Sequence, residues 1–326
     1  MIDPKTIHII FWSAFIVLFI IVFIIDLYIN KKNGGSRNIK SALVWTLIWI
    51  MLAFLYALAI YLFYPHDERR VTAINFITGY LTEYSLSIDN LFIFILIFSS
   101  MGVEEKHQPR LLQLGIMLSI ILRIVFIVFG LALISAFHWI LYIFGAILLW
   151  TAYKMAFSDE NEKIEPEKNL LYKWASKIYP VDHHKDHDRF FVRKNKKLYA
   201  TNLFLVFLLI GSTDVIFAID SIPAIMGITQ DPFVVITSNV FALMGLISVY
   251  FALNGIIQLF RFLKYGVSFI LFFIGVKMIL GIWIEQWFKE NSWFSLVVIA
   301  LSLFLSIILS VIIKPRKHKE AMDRKS

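Results

Sequence analysis

The chain has 326 residues, 59% of them hydrophobic, and a mean hydropathy of +0.76, outside the range of soluble globular proteins. It has no cysteine, which excludes a disulfide framework, a thiolate metal site and thiol redox chemistry. The net charge of +8 does not indicate nucleic acid, because the bases fall in the connections between apolar segments.

Nine apolar segments are long enough to cross a hydrocarbon core of about 30 Å. They lie near 7–29, 41–64, 71–98, 111–135, 138–157, 200–228, 233–257, 265–285 and 293–313. The first does not read as a cleaved signal peptide: Asp3 precedes it, no small-x-small site follows, and Lys31-Lys32 closes it. Trp12, Trp139, Trp150, Trp283 and Trp293 fall near predicted span ends, as an aromatic belt would. The bases set the orientation. With the N-terminus outside, 24 of the 31 Lys and Arg fall in cytoplasmic segments and only four outside. The other three, Arg123, Lys154 and Lys277, lie within spans.

This topology makes spans 3–5 begin outside and spans 6–8 begin inside. Lys154-Met155 and Lys277-Met278 each follow a Tyr by the same interval, Tyr142 and Tyr265. The expected fold is therefore an all-α polytopic membrane protein of nine transmembrane helices with a three-plus-three inverted repeat. It divides into 1–70 (spans 1 and 2), 71–157 (first repeat), 158–199 (cytoplasmic loop), 200–285 (second repeat) and 286–326 (span 9 and a basic cytoplasmic tail). The 158–199 loop is too short and too charged to bury a core.

Four acids sit inside the most apolar stretches, and they repeat. Glu83-Tyr84-Ser85-Leu86-Ser87-Ile88-Asp89-Asn90 in span 3 matches Asp214-Val215-Ile216-Phe217-Ala218-Ile219-Asp220-Ser221 in span 6. A charge at mid-bilayer costs roughly 2.5–3.5 kcal/mol, so such residues imply a compensating cation, proton or basic partner. Residues six apart on a helix lie about 120° off a common face and roughly 9 Å apart along the axis. Neither acid pair can then chelate one ion from a regular helix. The simpler site pairs Asp89 with Asp220 across the pseudo-two-fold, with Asn90 and Ser221 beside them. Pro223 is expected to interrupt span 6 and free the Ile219 carbonyl. This all-oxygen set suits Mg, Ca or Mn. Glu83 and Asp214 become second stations or proton carriers. Structural pairing of the acids with Arg123, Lys154 or Lys277 is the plainer reading of the same residues. Asp26 reads as interfacial, and Asn239 and Asn254 as hydrogen bonds between spans. In Val181-Asp182-His183-His184-Lys185-Asp186-His187-Asp188, a solvated polar turn competes with a weak metal-collecting site.

The segments GYLTEYSLSIDNLFIF and TDVIFAIDSIPAI resemble the two signature segments of the TerC family of integral membrane proteins. The likeness continues through LYIFGAILLWTAYKM, RFFVRKNKKLYAT, DPFVVITSNVFALMGL and FIGVKMIL, over about residues 40–285. Tyr84, Gly211 and Ile247 stand where that family commonly carries Lys, Glu and Arg. The resemblance implies a multi-span helical protein of the LysE exporter superfamily, linked to tellurium resistance and to manganese(II) export. It implies Glu83, Asp89, Asn90, Asp214 and Asp220 as metal-site or pathway residues, with Arg123, Lys154, Lys277 and Ser221 as their partners.

The expected activity is secondary export of divalent manganese, not enzymatic chemistry. Mn²⁺ is then the transported ion, no cofactor is tightly bound, and the partners are the lipid bilayer and a divalent cation, not nucleic acid. The expected location is the bacterial inner membrane, with the N-terminus outside and the C-terminus cytoplasmic. Alternatives are a non-transporting scaffold that assists maturation or metalation of secreted proteins, or an indirect tellurite-resistance factor.

Overall fold

The computed structural model describes residues 3–32, 39–65, 68–157, 181–182, 189–194, 197–253 and 262–312. The helices are α1 (Pro4–Lys32), α2 (Ile39–Phe63), α3 (Arg69–Ser100), α4 (Gln108–Ala136) and α5 (Ile140–Phe157), then α6 (Asn202–Met226), α7 (Pro232–Met244), α8 (Leu246–Leu253), α9 (Leu263–Ile279), α10 (Gly281–Glu290) and α11 (Ser292–Ile312). Between α5 and α6 lie three short strands, β1 (Val181–Asp182), β2 (Phe191–Lys194) and β3 (Lys197–Thr201).

Among the described residues, eight helical segments are long and apolar enough to cross a membrane. The segment expected at 265–285 is not one of them. It divides into α9, of 17 residues and so about 26 Å long, and α10, which carries Glu285, Gln286, Lys289 and Glu290. Leu280 separates the two, and Gly281 opens the second. The segment expected at 233–257 is α7 and α8, with Gly245 between them.

Burial places the elements in layers. The 232–252 segment is 94% buried, whereas the apolar stretch of α1 is 17% buried. The core is therefore built around α7 and α8, and α1, α2 and α11 form the rim. The rim exposes Ile9, Ile16, Ile20, Leu43, Leu47, Phe54, Leu301, Phe304 and Leu305. So broad an apolar surface is stable only against lipid. α1 and α2 lean on α7 through rings: Phe11, Trp12 and Tyr64 surround Phe233, and Tyr56 lies 5.0 Å from Phe241.

The most extensive helix contacts are α5 on α9, α3 on α7 and α4 on α6. The first depends on two glycines. A Cβ at Gly145 would lie 3.1 Å from the Gly275 carbonyl oxygen, and a Cβ at Gly275 would lie 3.0 Å from that of Gly145. The backbones thus approach where side chains have no room, as at small-residue contacts in membranes. Gly275→Leu is expected to force α5 and α9 apart and lower stability by about 1–3 kcal/mol, read as a lower melting temperature of the purified protein.

Two further features depart from the sequence reading. Part of the expected cytoplasmic loop is a small sheet in the order β1-β3-β2, with β2 and β3 antiparallel and β1 parallel to β3. Phe190 and Phe191 anchor it on Phe204 and Phe207 of α6, and the Asn202 amide donates to the Met101 carbonyl at 2.7 Å. Further, α6 continues through Pro223 to Met226 without interruption. Pro223 is only three residues from the helix end, so its missing N–H removes a bond near the terminus and does not split the span.

Candidate functional site

Arg123 is the residue around which the buried polar groups collect. It lies mid-way along α4, whose neighbours on the chain are Ile, Leu, Val and Phe, and it is 1% exposed. A guanidinium stays charged in such surroundings, so it must be met by acceptors. Glu83 on α3 and Asp214 on α6 supply them. Nη1 of Arg123 pairs with Glu83 Oε1 and also donates to Ser221 Oγ at 3.1 Å and Asn239 Oδ1 at 3.4 Å. Nη2 lies 3.4 Å from Asp214 Oδ1. The Asn239 amide donates to Glu83 Oε2 at 3.0 Å, and Ser87 Oγ donates to Glu83 Oε1 at 2.9 Å.

The cluster therefore joins α3, α4, α6 and α7 through one guanidinium. Glu83, Ser87, Asp214, Ser221 and Asn239 are all buried. Its charges do not balance: two carboxylates face one arginine, a net of minus one when both are ionised. Nor are its bonds complete. Asp214 Oδ2 and Arg123 Nε, both buried, have no hydrogen-bond partner among the described residues, and neither has Ser119 Oγ one turn before Arg123. Buried polar atoms are normally paired, so the cluster retains unused oxygen and nitrogen valence.

A second polar feature lies beyond one end of the cluster. A cavity of about 1090 Å³ is lined by His8, Glu68, Asn75, His138, Asp231 and Lys277, among others. Asp231 caps α7 by accepting from the Phe233 N–H at 2.9 Å. Burial raises its carboxyl above the usual range, opposed by that hydrogen bond. Tyr64 OH lies 2.9 Å from His8 Nδ1. Asn75 and Glu83 are eight residues apart on α3, about 12 Å along the axis. Between them α3 meets α7 at Gly79, where a Cβ would lie 2.9 Å from Ser238 Oγ and 3.1 Å from Ile225. That contact lies along α3 between Asn75, which lines the cavity, and Glu83 of the cluster.

The residues expected at the site are distributed as follows. Glu83, Asp214, Arg123 and Ser221 come together. Asp220 does not join them; it accepts from Thr151 Oγ1 on α5 at 2.7 Å. Lys277 lines the cavity, 3.5 Å from Ser295 Oγ and over the Phe288 ring. Lys154 is exposed near the end of α5, and Asn90 is half-buried on α3. Asp89 lies on α3, and its side chain is outside the described atoms, as is that of Asp26. His183, His184, His187 and Asn254 are outside the described residues. Among the described residues, no three His, Asp or Glu side chains converge as a metal-ligand group. Sequence reasoning missed Ser87 and Thr151 and gave Asn239 only a bond between helices. Ser87 was within reach of it, because it lies four residues after Glu83 on one helix face.

Comparison with known proteins agrees with this architecture. The family model described as "Integral membrane protein TerC family" matches residues 68–318. The chain is 40% identical over 317 residues to an Escherichia coli protein with the provisional name membrane-bound redox modulator Alx, covering 96% of this chain and 97% of that one. A Shigella flexneri protein of the same name is 43% identical over 274 residues, 82% of this chain and 85% of that one. An uncharacterised membrane protein of Myxococcus xanthus is 37% identical over 301 residues, 92% of each chain. No solved structure matches. The chain belongs to the TerC family of integral membrane proteins.

Proposed function

We propose that this protein is a secondary transporter that exports divalent manganese through the buried cluster. The observation that carries the reading is the Glu83–Arg123–Asp214 group: two carboxylates from different helices, net negative, fully buried, with one carboxylate oxygen unpartnered among the described residues. Glu83, Asp214, Ser87, Ser221 and Asn239 together present hard oxygen donors, the kind that suit Mg²⁺, Ca²⁺ and Mn²⁺. Manganese among these comes from the family resemblance. Asp220, with Thr151, is a second station, and Asp89 and Asn90 belong to the same pathway.

The helix pairing supports an inverted repeat of α3–α5 and α6–α9. Exchanging α3 with α6, α4 with α7 and α5 with α9 turns the α3–α7 contact into the α4–α6 contact and leaves α5–α9 unchanged. Transporters built this way hold their substrate where the repeats meet, and Glu83 and Asp214 lie one on each half. In this reading α9 is the eighth span in chain order and brings the count to nine, and α10 lies at the interface. The base count supports an outside N-terminus and an inner-membrane location, and the cavity is then the outer vestibule. Leu198→Cys should be protected from an impermeant thiol reagent in intact cells and Asn291→Cys should label; the reverse pattern would invert the topology.

The relatives' provisional name concerns redox modulation. This chain has no thiol for such chemistry, so a redox effect of its own would follow from the metal it moves. The pairing of Glu83 and Asp214 with Arg123 also suits a second reading, a membrane scaffold in which the cluster is only structural. Entry of Mn²⁺ into protein-containing liposomes, with Mg²⁺, Ca²⁺ and Zn²⁺ alongside, separates the two: a transporter moves the ion and a scaffold does not.

A further inference from the structure

Arg123 occupies the space a cation would need. Its guanidinium stands between Glu83 and Asp214 and uses one oxygen of each, together with Ser221 Oγ and Asn239 Oδ1. A divalent ion takes oxygen ligands at about 2.0–2.6 Å, and these are the oxygens within reach. Both cations cannot hold them at once.

We propose that Arg123 is a tethered competitor for the cation: the incoming ion takes the carboxylates only as the guanidinium withdraws, and the guanidinium reoccupies them when the ion leaves. This rests on the transport reading above. Charge favours displacement. The arginine-locked cluster carries minus one, so it attracts a divalent ion. With Arg123 in place that ion would share its oxygens with a like charge, and in a low-dielectric interior the repulsion falls as the guanidinium moves away.

The structure offers the withdrawn side chain a destination. Long side chains on a helix lean toward its N-terminus, over the preceding turn. One turn before Arg123 on that side is Ser119, buried, with its hydroxyl unpartnered among the described residues. Arg123 Nε is also unpartnered in the locked state, so the withdrawn state can make bonds that the locked state lacks. Asp214 Oδ2, buried and without a hydrogen-bond partner among the described residues, is where the ion first engages while Arg123 still holds Oδ1. The competitor also prevents the emptied site from returning with two uncompensated carboxylates.

The test is Mn²⁺ titration of the full-length purified protein in nanodiscs, following the loss of the free-ion electron paramagnetic resonance signal. Removing the competitor should tighten binding. Arg123→Gln is expected to bind Mn²⁺ about tenfold more tightly than wild type, since it removes a like charge from beside the ion. Arg123→Lys keeps the charge but loses the two-pronged grip on Glu83 and Asp214, so it should bind about threefold more tightly. If Arg123→Gln does not fold, Arg123→Lys decides. Unchanged or weaker binding in a folded Arg123 variant, with wild type binding saturably, overturns the competitor and leaves the transport reading standing. A wild-type protein that binds no Mn²⁺ overturns both.

Discussion

Arg123→Ala should lower the stability of the metal-free protein by about 3–5 kcal/mol, the usual cost of removing one partner from a buried ion pair. The reason lies in what remains. Glu83 and Asp214 are buried in the helix bundle, and without the guanidinium neither carboxylate has a compensating charge, which is costly to bury. Four helices also lose the group that links them. The second change in a cycle separates charge from packing. Glu83→Gln with Arg123→Ala returns the cluster to a net charge of minus one, the wild-type value, and should recover a substantial part of the loss. Thermal melting of the purified single and double variants reads both. Equal destabilisation in the two would mean that the arginine acts through its bulk.

The largest functional effect should come from Glu83→Gln and Asp214→Asn. Each keeps shape and a carbonyl oxygen but removes a negative charge. At about 4 Å and an effective dielectric near 20, one unit charge is worth about 4 kcal/mol to a monovalent ion and about 8 kcal/mol to a divalent one. Either substitution should therefore cut Mn²⁺ efflux from cells at least about tenfold, the equivalent of 1.4 kcal/mol, and make growth manganese-sensitive. Asp220→Asn should impair efflux less, because Asp220 stands apart from the cluster, hydrogen-bonded to Thr151. Alanine at His183, His184 and His187 together should leave efflux close to the parental rate. Efflux that survives Glu83→Gln with the protein present in the membrane would mean that the ion does not pass by way of Glu83.

How much of this was legible in the sequence follows from what sets each feature. Spans are set by the bilayer, and apolar runs of about 20 residues record that directly. The helices at 39–63, 69–100 and 108–136 accordingly fall where expected. The break at Leu280 is different: it depends on a short polar stretch following α9 within a run that reads as one span. The small sheet of β1, β2 and β3 packs Phe191 against Phe204, a contact with no signal in hydropathy. The four acids were legible because charge in an apolar helix needs a reason. Their grouping was not. Spacing along one helix shows which residues cannot share a ligand, but Glu83, Arg123, Asp214 and Asn239 meet across four helices. Asn239 carried no charge to mark it among its apolar neighbours.

The three replaced positions also acquire a physical account. Tyr84 stacks on Tyr80 with ring centroids 5.5 Å apart. Ile247 is buried in the main core. A Cβ at Gly211 would run into Leu118 where α6 meets α4. All three are packed as apolar positions, so the charge of this chain's cluster is carried by Glu83, Asp214 and Arg123.

In the proposed mechanism a divalent cation crosses the membrane by way of Glu83 and Asp214. The most direct test of this mechanism is Mn²⁺ entry into sealed liposomes containing the purified wild-type protein or the Glu83→Gln/Asp214→Asn double variant, each checked for folded protein by its elution as a single species. Saturable Mn²⁺ entry with wild type, and entry at the protein-free rate with the double variant, is the predicted result. Equal Mn²⁺ entry in the two preparations, whether at the protein-free rate or well above it, would contradict the mechanism.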